Sequence, residues 1–253
     1  MRPNLSKQRL REGKTEFGTM INAASPLVVE FMGHSGYDFI VVDLQHGENT
    51  LDSLSVMLQA LSSTPATPVV RVPANLPVYI QRALDLGAYG IIVPQVDTKA
   101  QAEAVSASVR YAPAGARSWG PVRGAIYGGA DYFSKSAAEL LTLPMLESAE
   151  ALRNAREIIG VPGIDGCFVG PADLNITLGF SPEAPELGAP TEAGIATILK
   201  VTQDAGKVAG IHAVSVDDAR LRVAQGFRFV TVMADLRILR AGATAALTAI
   251  RQN

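Results

Sequence analysis

The sequence has a single cysteine, Cys167, among 253 residues. An internal disulfide is thereby excluded, as is any zinc or iron–sulfur site built on several thiolates. Histidine is almost as scarce: with three, a three-histidine metal site would have to use all of them. Charge of one sign is not in excess, since 22 Lys and Arg face 24 Asp and Glu for a net charge of −2. That balance gives no reason to expect a nucleic-acid partner or an anionic membrane surface. No uncharged apolar run approaches the ~20 residues that span a bilayer. The opening MRPNLSKQRLREGKTEFG is polar and lacks the apolar core of a signal peptide. A soluble, cytoplasmic protein is therefore expected, and the lone cysteine agrees with a reducing compartment. There is also no P-loop and no G-x-G-x-x-G turn after the first apolar run.

What is present is a core-forming composition, 48% hydrophobic and 18% charged. Eight short apolar runs rich in Val and Ile occur at 18–21, 38–44, 67–72, 90–94, 141–147, 166–170, 208–213 and 227–235. They are continuous rather than alternating, the pattern of parallel strands buried on both faces. Amphipathic stretches lie between them. In 51–63, Leu51, Leu54, Met57, Leu58 and Leu61 share one helical face. Pro77 opens 77–87, Thr98 and Ser148 are N-caps for 98–111 and 148–160, and further helices are expected at 191–206, 215–226 and from about Leu236 onward. Eight strand–helix units in this length predict an α/β fold, a (β/α)8 TIM barrel forming a single domain over 1–253. The competing arrangement is an open doubly wound sheet, which the missing Gly-rich turn disfavours. One stretch, 112–136, has no clear periodicity and is expected to be a lid or binding loop.

Active sites of such barrels lie at the C-terminal ends of the strands. The polar residues there are Asp43, His46, Arg71, Glu147, Asp173, His212 and Asp235. Glu147 and Asp173 form the natural metal pair, since two carboxylates suit a hard divalent cation such as Mg2+ or Mn2+. Asp173 could equally cap a short helix starting in PADL, and the backbone N–H groups of Ala172 and Asp173 would then face a substrate carboxylate. Arg71 is either a permanent positive charge for a developing enolate or an ion-pair partner of Asp43 or Glu48. His46 is a candidate general base, and its orienting carboxylate is Asp43 or Asp85. His34 reads as structural, and His212 as a supporting or oligomer contact. None of the six lysines ends a candidate strand, which disfavours Schiff-base chemistry and favours a metal-dependent enolate.

These residues sit in segments that resemble the HpcH/HpaI aldolases. The segments are YDFIVVDLQHGENT (37–50), PVVRVP (68–73), 83–118 and 145–179, the last carrying IDGCFVGPADL with its upstream glutamate. The resemblance covers most of the chain. It implies a (β/α)8 barrel, often assembled as a hexamer (a trimer of dimers) with its last helix exchanged between partners. It implies a divalent cation, Mg2+ or Mn2+ with Co2+ as a further option, held at Glu147 and Asp173. It also implies an enolate-stabilising Arg71, a base His46 supported by Asp85, and an Ala172 amide that binds the pyruvate carboxylate. The activity implied is reversible cleavage of a 4-hydroxy-2-oxo acid to pyruvate, or a related 2-keto acid, and an aldehyde. Met145 is a departure, because many members carry Gln there, and 112–136 is expected to set aldehyde preference. The rival readings are an acyl-CoA lyase of the malyl or citryl type and a non-catalytic keto-acid-binding barrel.

Overall fold

Strands with no polar alternation must be covered on both faces, and a closed barrel wrapped by helices does this. In the computed structural model, which describes residues 1–184 and 186–252, eight parallel strands form a closed barrel in sequence order. They are β1 (Glu16–Ile21), β2 (Phe39–Asp43), β3 (Thr67–Arg71), β4 (Gly90–Val93), β5 (Leu141–Leu146), β6 (Gly166–Val169), β7 (Val208–Ala213) and β8 (Phe229–Ala234). β8 pairs back onto β1, with a register shift between Gly18 and Met20. All eight expected strands are present.

The helices are α1 (Leu5–Arg11), α2 (Pro26–His34), α3 (Leu51–Leu61), α4 (Pro77–Asp85), α5 (Lys99–Val109), α6 (Val122–Gly128), α7 (Tyr132–Glu139), α8 (Ala149–Gly160), α9 (Pro171–Thr177), α10 (Ala189–Asp204), α11 (Val216–Gln225) and α12 (Asp235–Arg251). Their starts follow local chemistry. Thr50, Thr98, Ser148 and Ser215 each cap a helix by accepting an N–H three residues on. The sequence pattern did not indicate α1, α2, α6 or α7. α2 begins with a Ser25 cap and Pro26 in the first turn, and α1 with an Asn4 cap.

The barrel interior holds a stack of apolar side chains that includes Phe39, Val41, Val69, Ile92, Leu143, Phe168 and Phe229. Phe39 and Phe229 stack with ring centroids 3.7 Å apart. Gly18 makes room for this, because a Cβ there would lie 2.2 Å from the Phe39 ring. The lower mouth is closed by α1. The Lys7 ammonium meets the Leu140 carbonyl and sits 2.7 Å from an Asp165 oxygen, and Asn4 Nδ2 donates to the Tyr89 carbonyl at 3.0 Å.

The expected lid over 112–136 is not found. The segment leaves the C-terminal end of α5 and enters the N-terminal end of β5, so it lies at the rim opposite the strand C-termini. It folds into α6 and α7 beneath the barrel. There Arg123 donates to the Leu58 and Leu86 carbonyls at the ends of α3 and α4. α12 is also unusual. From Leu239 to Gln252 every residue is exposed, Leu247 and Ile250 among them, so the helix runs clear of the barrel wall after its first turn. No helix among the described residues is long and apolar enough to cross a membrane.

Candidate active site

An open cleft of about 1460 Å³ lies over the strand C-termini. His46, Arg71, Ala172 and Asp173 line it, together with Asn22, Met145 and His212. Arg71, the last residue of β3, is directly opposite Asp43, the last residue of β2. The pair is bidentate: Arg71 Nε donates to Asp43 Oδ1 at 2.8 Å and Nη2 to Oδ2 at 2.7 Å. Of the two acidic partners foreseen for Arg71, Asp43 is found and Glu48 is not. Asp43 also accepts from Asn22 Nδ2 and the Gln45 N–H. Burial alone would push its carboxyl up, but Arg71 and these N–H donors outweigh burial and hold it below the ordinary carboxylate range. Arg71 is thus fixed through two of its nitrogens, while Nη1 has no partner among the described residues.

Glu147 follows β5 and is 4% exposed. One of its oxygens accepts the Gln95 N–H at 2.8 Å. Gln95 adopts φ 54°, a left-handed conformation uncommon for a residue with a Cβ, which turns that N–H toward the carboxylate. Burial first, and the Asp173 charge second, raise the Glu147 carboxyl to about 7. Among the described residues, neither Glu147 nor Asp173 has an ion-pair partner. A buried carboxylate beside a second carboxylate, neither in a direct ion pair, has the donor chemistry for a hard divalent ion. No group of three or more His, Cys, Asp or Glu among the described residues could share in holding it. The protein would therefore contribute two carboxylates and leave the other positions to water and substrate.

Asp173 lies in the first turn of α9, which Pro171 opens. Gly170 brings that turn against Glu147, for a Cβ at 170 would stand 2.6 Å from Glu147 Oε2. The first N–H groups of α9, including that of Ala172, have no acceptor within the helix. His46 is exposed in the loop after β2, and its ring makes no hydrogen bond among the described residues. His34 ends α2 and is exposed. Asp235 braces the loop after β1, accepting the Asn22 and Ala23 N–H groups at 2.9 and 3.1 Å.

One expected site residue is placed elsewhere. Asp85 is the last residue of α4, and that helix runs back from the catalytic rim to the lower one. There it accepts from Arg117 Nη2 at 2.8 Å. Within the chain it is not beside His46. Asn22 and Gln95 were not singled out from sequence. The available signal was position alone, since Asn22 directly follows β1 and Gln95 lies two residues after β4.

The fold and rim define a class of barrel enzyme in which a fixed arginine, a histidine and paired carboxylates face one substrate cleft. The chain belongs to the HpcH/HpaI aldolase/citrate lyase family, whose model matches residues 16–241. It is 38% identical over 232 residues to a hydroxypyruvate/pyruvate aldolase of Rhizorhabdus wittichii, covering 92% of each chain. It is also 38% identical over 237 residues to a 2-keto-3-deoxy-L-rhamnonate aldolase of Shigella boydii, covering 92% of this chain and 87% of that one. Among solved structures, an HpcH/HpaI aldolase/citrate lyase family protein of Burkholderia cenocepacia superimposes with a TM-score of 0.91 at 33% identity, covering 98% of this chain and 99% of that one.

Proposed function

We propose that residues 1–253 form one aldolase domain. It reversibly cleaves a 4-hydroxy-2-oxo acid to pyruvate or a related 2-keto acid and an aldehyde, with a divalent metal as cofactor. The observation that carries this reading is Arg71, held by two bonds to Asp43 in the cleft that His46 and Asp173 also line, with Glu147 packed against Gly170 of its wall. A charged donor fixed before substrate arrives suits an oxygen that becomes negative during reaction.

Glu147 and Asp173 would hold the cation, and Mg2+ or Mn2+ fits an all-oxygen donor set best. When bound, the cation supplies Lewis-acid polarisation of the keto acid. The chain supplies the rest. The Ala172 N–H at the start of α9 donates to the substrate carboxylate. His46 accepts the proton of the C4 hydroxyl. The C4–O pair becomes the aldehyde carbonyl, the C3–C4 bond breaks, and its electrons pass to the enolate oxygen on C2. Arg71 stabilises that oxygen until C3 is protonated. Met145 adds an apolar wall to the cleft.

Several further properties follow in the same reading. The enzyme works in the cytoplasm on small molecules. It assembles as a homo-oligomer, a hexamer built as a trimer of dimers, in which α12 packs on a neighbouring copy. The support is the exposed length of α12 together with Leu27 and Phe31 exposed on α2.

The test is solvent-deuterium exchange into the methyl group of pyruvate, followed by NMR. Exchange is expected with Mg2+ or Mn2+. It should be lost with EDTA, and lost in Glu147→Gln and Asp173→Asn even at saturating metal. Exchange that persists in EDTA, or in those variants, would overturn the reading. Saturation by a CoA thioester but not by any free keto acid would favour the acyl-CoA lyase instead.

A further inference from the structure

His212 is a polar side chain of the cleft that the chemistry above does not use. His212 comes from β7, directly opposite Thr231 of β8. Its Nδ1 lies 2.9 Å from Thr231 Oγ1. Thr231 is 0% exposed, and its hydroxyl has no other partner among the described residues. A buried hydroxyl that donates to nothing is unfavourable, so the Thr231 proton goes to Nδ1. That selects the tautomer in which Nε2 carries the ring proton. Nε2 has no partner among the described residues, and His212 lines the cleft, so this N–H is available to a ligand. Burial first, and the Arg71 charge second, lower the imidazole to about 4, so the ring is neutral around pH 7. His212 is accordingly a neutral donor.

The surroundings indicate which substrate atom it meets. Arg71 and His212 line the same cleft. Met20, Met145 and Phe168 on the cleft wall offer no donor, Asn22 Nδ2 is already used on Asp43, and Arg237 of α12 is a second charged donor there. In the aldolase reading Arg71 faces the oxygen on C2, so a polar group beside Arg71 sits next to the substituents of C3. For unsubstituted pyruvate that N–H would have no acceptor.

We propose that His212 sets the choice of donor. Its Nε2–H donates to a hydroxyl oxygen on C3 of the 2-keto acid, so that donors of the 3-hydroxypyruvate class are preferred over pyruvate. The assignment rests on the aldolase reading and narrows its donor. Thr231 is the positioning residue that keeps the proton on Nε2.

The experiment compares kcat/KM for hydroxypyruvate and pyruvate, each with propanal as an acceptor free of hydroxyls, in wild type, His212→Phe, His212→Gln and Thr231→Val. A site built to bond a substrate hydroxyl discriminates by that bond, so in His212→Phe the hydroxypyruvate-to-pyruvate ratio should fall about 10- to 100-fold. Gln restores a side-chain N–H and should recover part of the ratio. Thr231→Val releases the tautomer and should give an intermediate ratio. An unchanged ratio in His212→Phe, or equal losses with both donors, would overturn the assignment. So would a loss that appears only when propanal is replaced by glycolaldehyde, since the contact would then be to the aldehyde. Wild type that exchanges deuterium into neither keto acid overturns the aldolase reading together with this assignment. Wild type that exchanges and shows an unchanged ratio in the variants overturns the assignment alone.

Discussion

At the scale of single residues, the site depends on how Arg71 is held. Asp43 is fully buried and engages two of the guanidinium nitrogens. Asp43→Asn keeps the shape but removes the charge and one acceptor, leaving Arg71 free to rotate toward water. Because small misplacement of a reacting group is costly, kcat should fall about 100-fold. KM for the keto acid should change far less, and circular dichroism should show an intact fold. An unaltered kcat would mean that the geometry of Arg71 does not limit turnover. The identities of Arg71, Asp43, Glu147, Asp173 and His46 were legible in the sequence, because each sits at the end of an apolar run. Their partners were legible only in part. Asp43 and Glu48 were equally plausible partners for Arg71 by proximity along the chain, and the strand register chose Asp43. The place of Asp85 was not legible from its suggested role, which came from resemblance; the end of a returning helix puts it on the other rim of its own chain.

At the scale of elements, the joint between β6 and α9 decides where the second carboxylate stands. Gly170 lets the turn approach Glu147 so closely that a methyl group would meet its Oε2 at 2.6 Å. Gly170→Ala changes neither proposed metal ligand, yet it forces Glu147 to move. Metal affinity measured by calorimetry should fall about 10-fold or more, as for other changes that reorient a ligand from outside the coordination shell. Unchanged affinity would show that the cation does not depend on this placement of Glu147. Sequence patterning located the elements well where apolar runs were long. It shortened β1, because Glu16 looks like a loop residue. In the structure Glu16 is 1% exposed and is neutralised by Arg9 Nε at 2.7 Å. The 112–136 segment defeated pattern reading for a different reason. Its helices are short, and they are anchored by long-range donors such as Arg117 and Arg123 rather than by a continuous apolar stripe.

At the scale of the whole molecule, the barrel itself is self-sufficient while α12 is not. A helix whose apolar side chains face water calls for a covering surface, and a stable one typically buries about 1,200–2,000 Å² in total. Deleting residues 239–253 should therefore leave a folded barrel of lower mass in solution. Light scattering coupled to gel filtration would read a shift from the assembled form toward single copies. Retention of the assembled mass would place the contact elsewhere on the surface.

The pairing of β8 onto β1 also shapes how the chain is made. Glu16 leaves the ribosome more than 200 residues before its partner Phe229. At about 5–20 residues per second, roughly 10–40 s separate them. Through that interval β1 offers an unpaired edge to anything nearby, including its counterpart on an adjacent nascent chain. Synthesis rate and holding chaperones, more than the stability of the finished barrel, would then govern how much correctly closed enzyme a cell obtains.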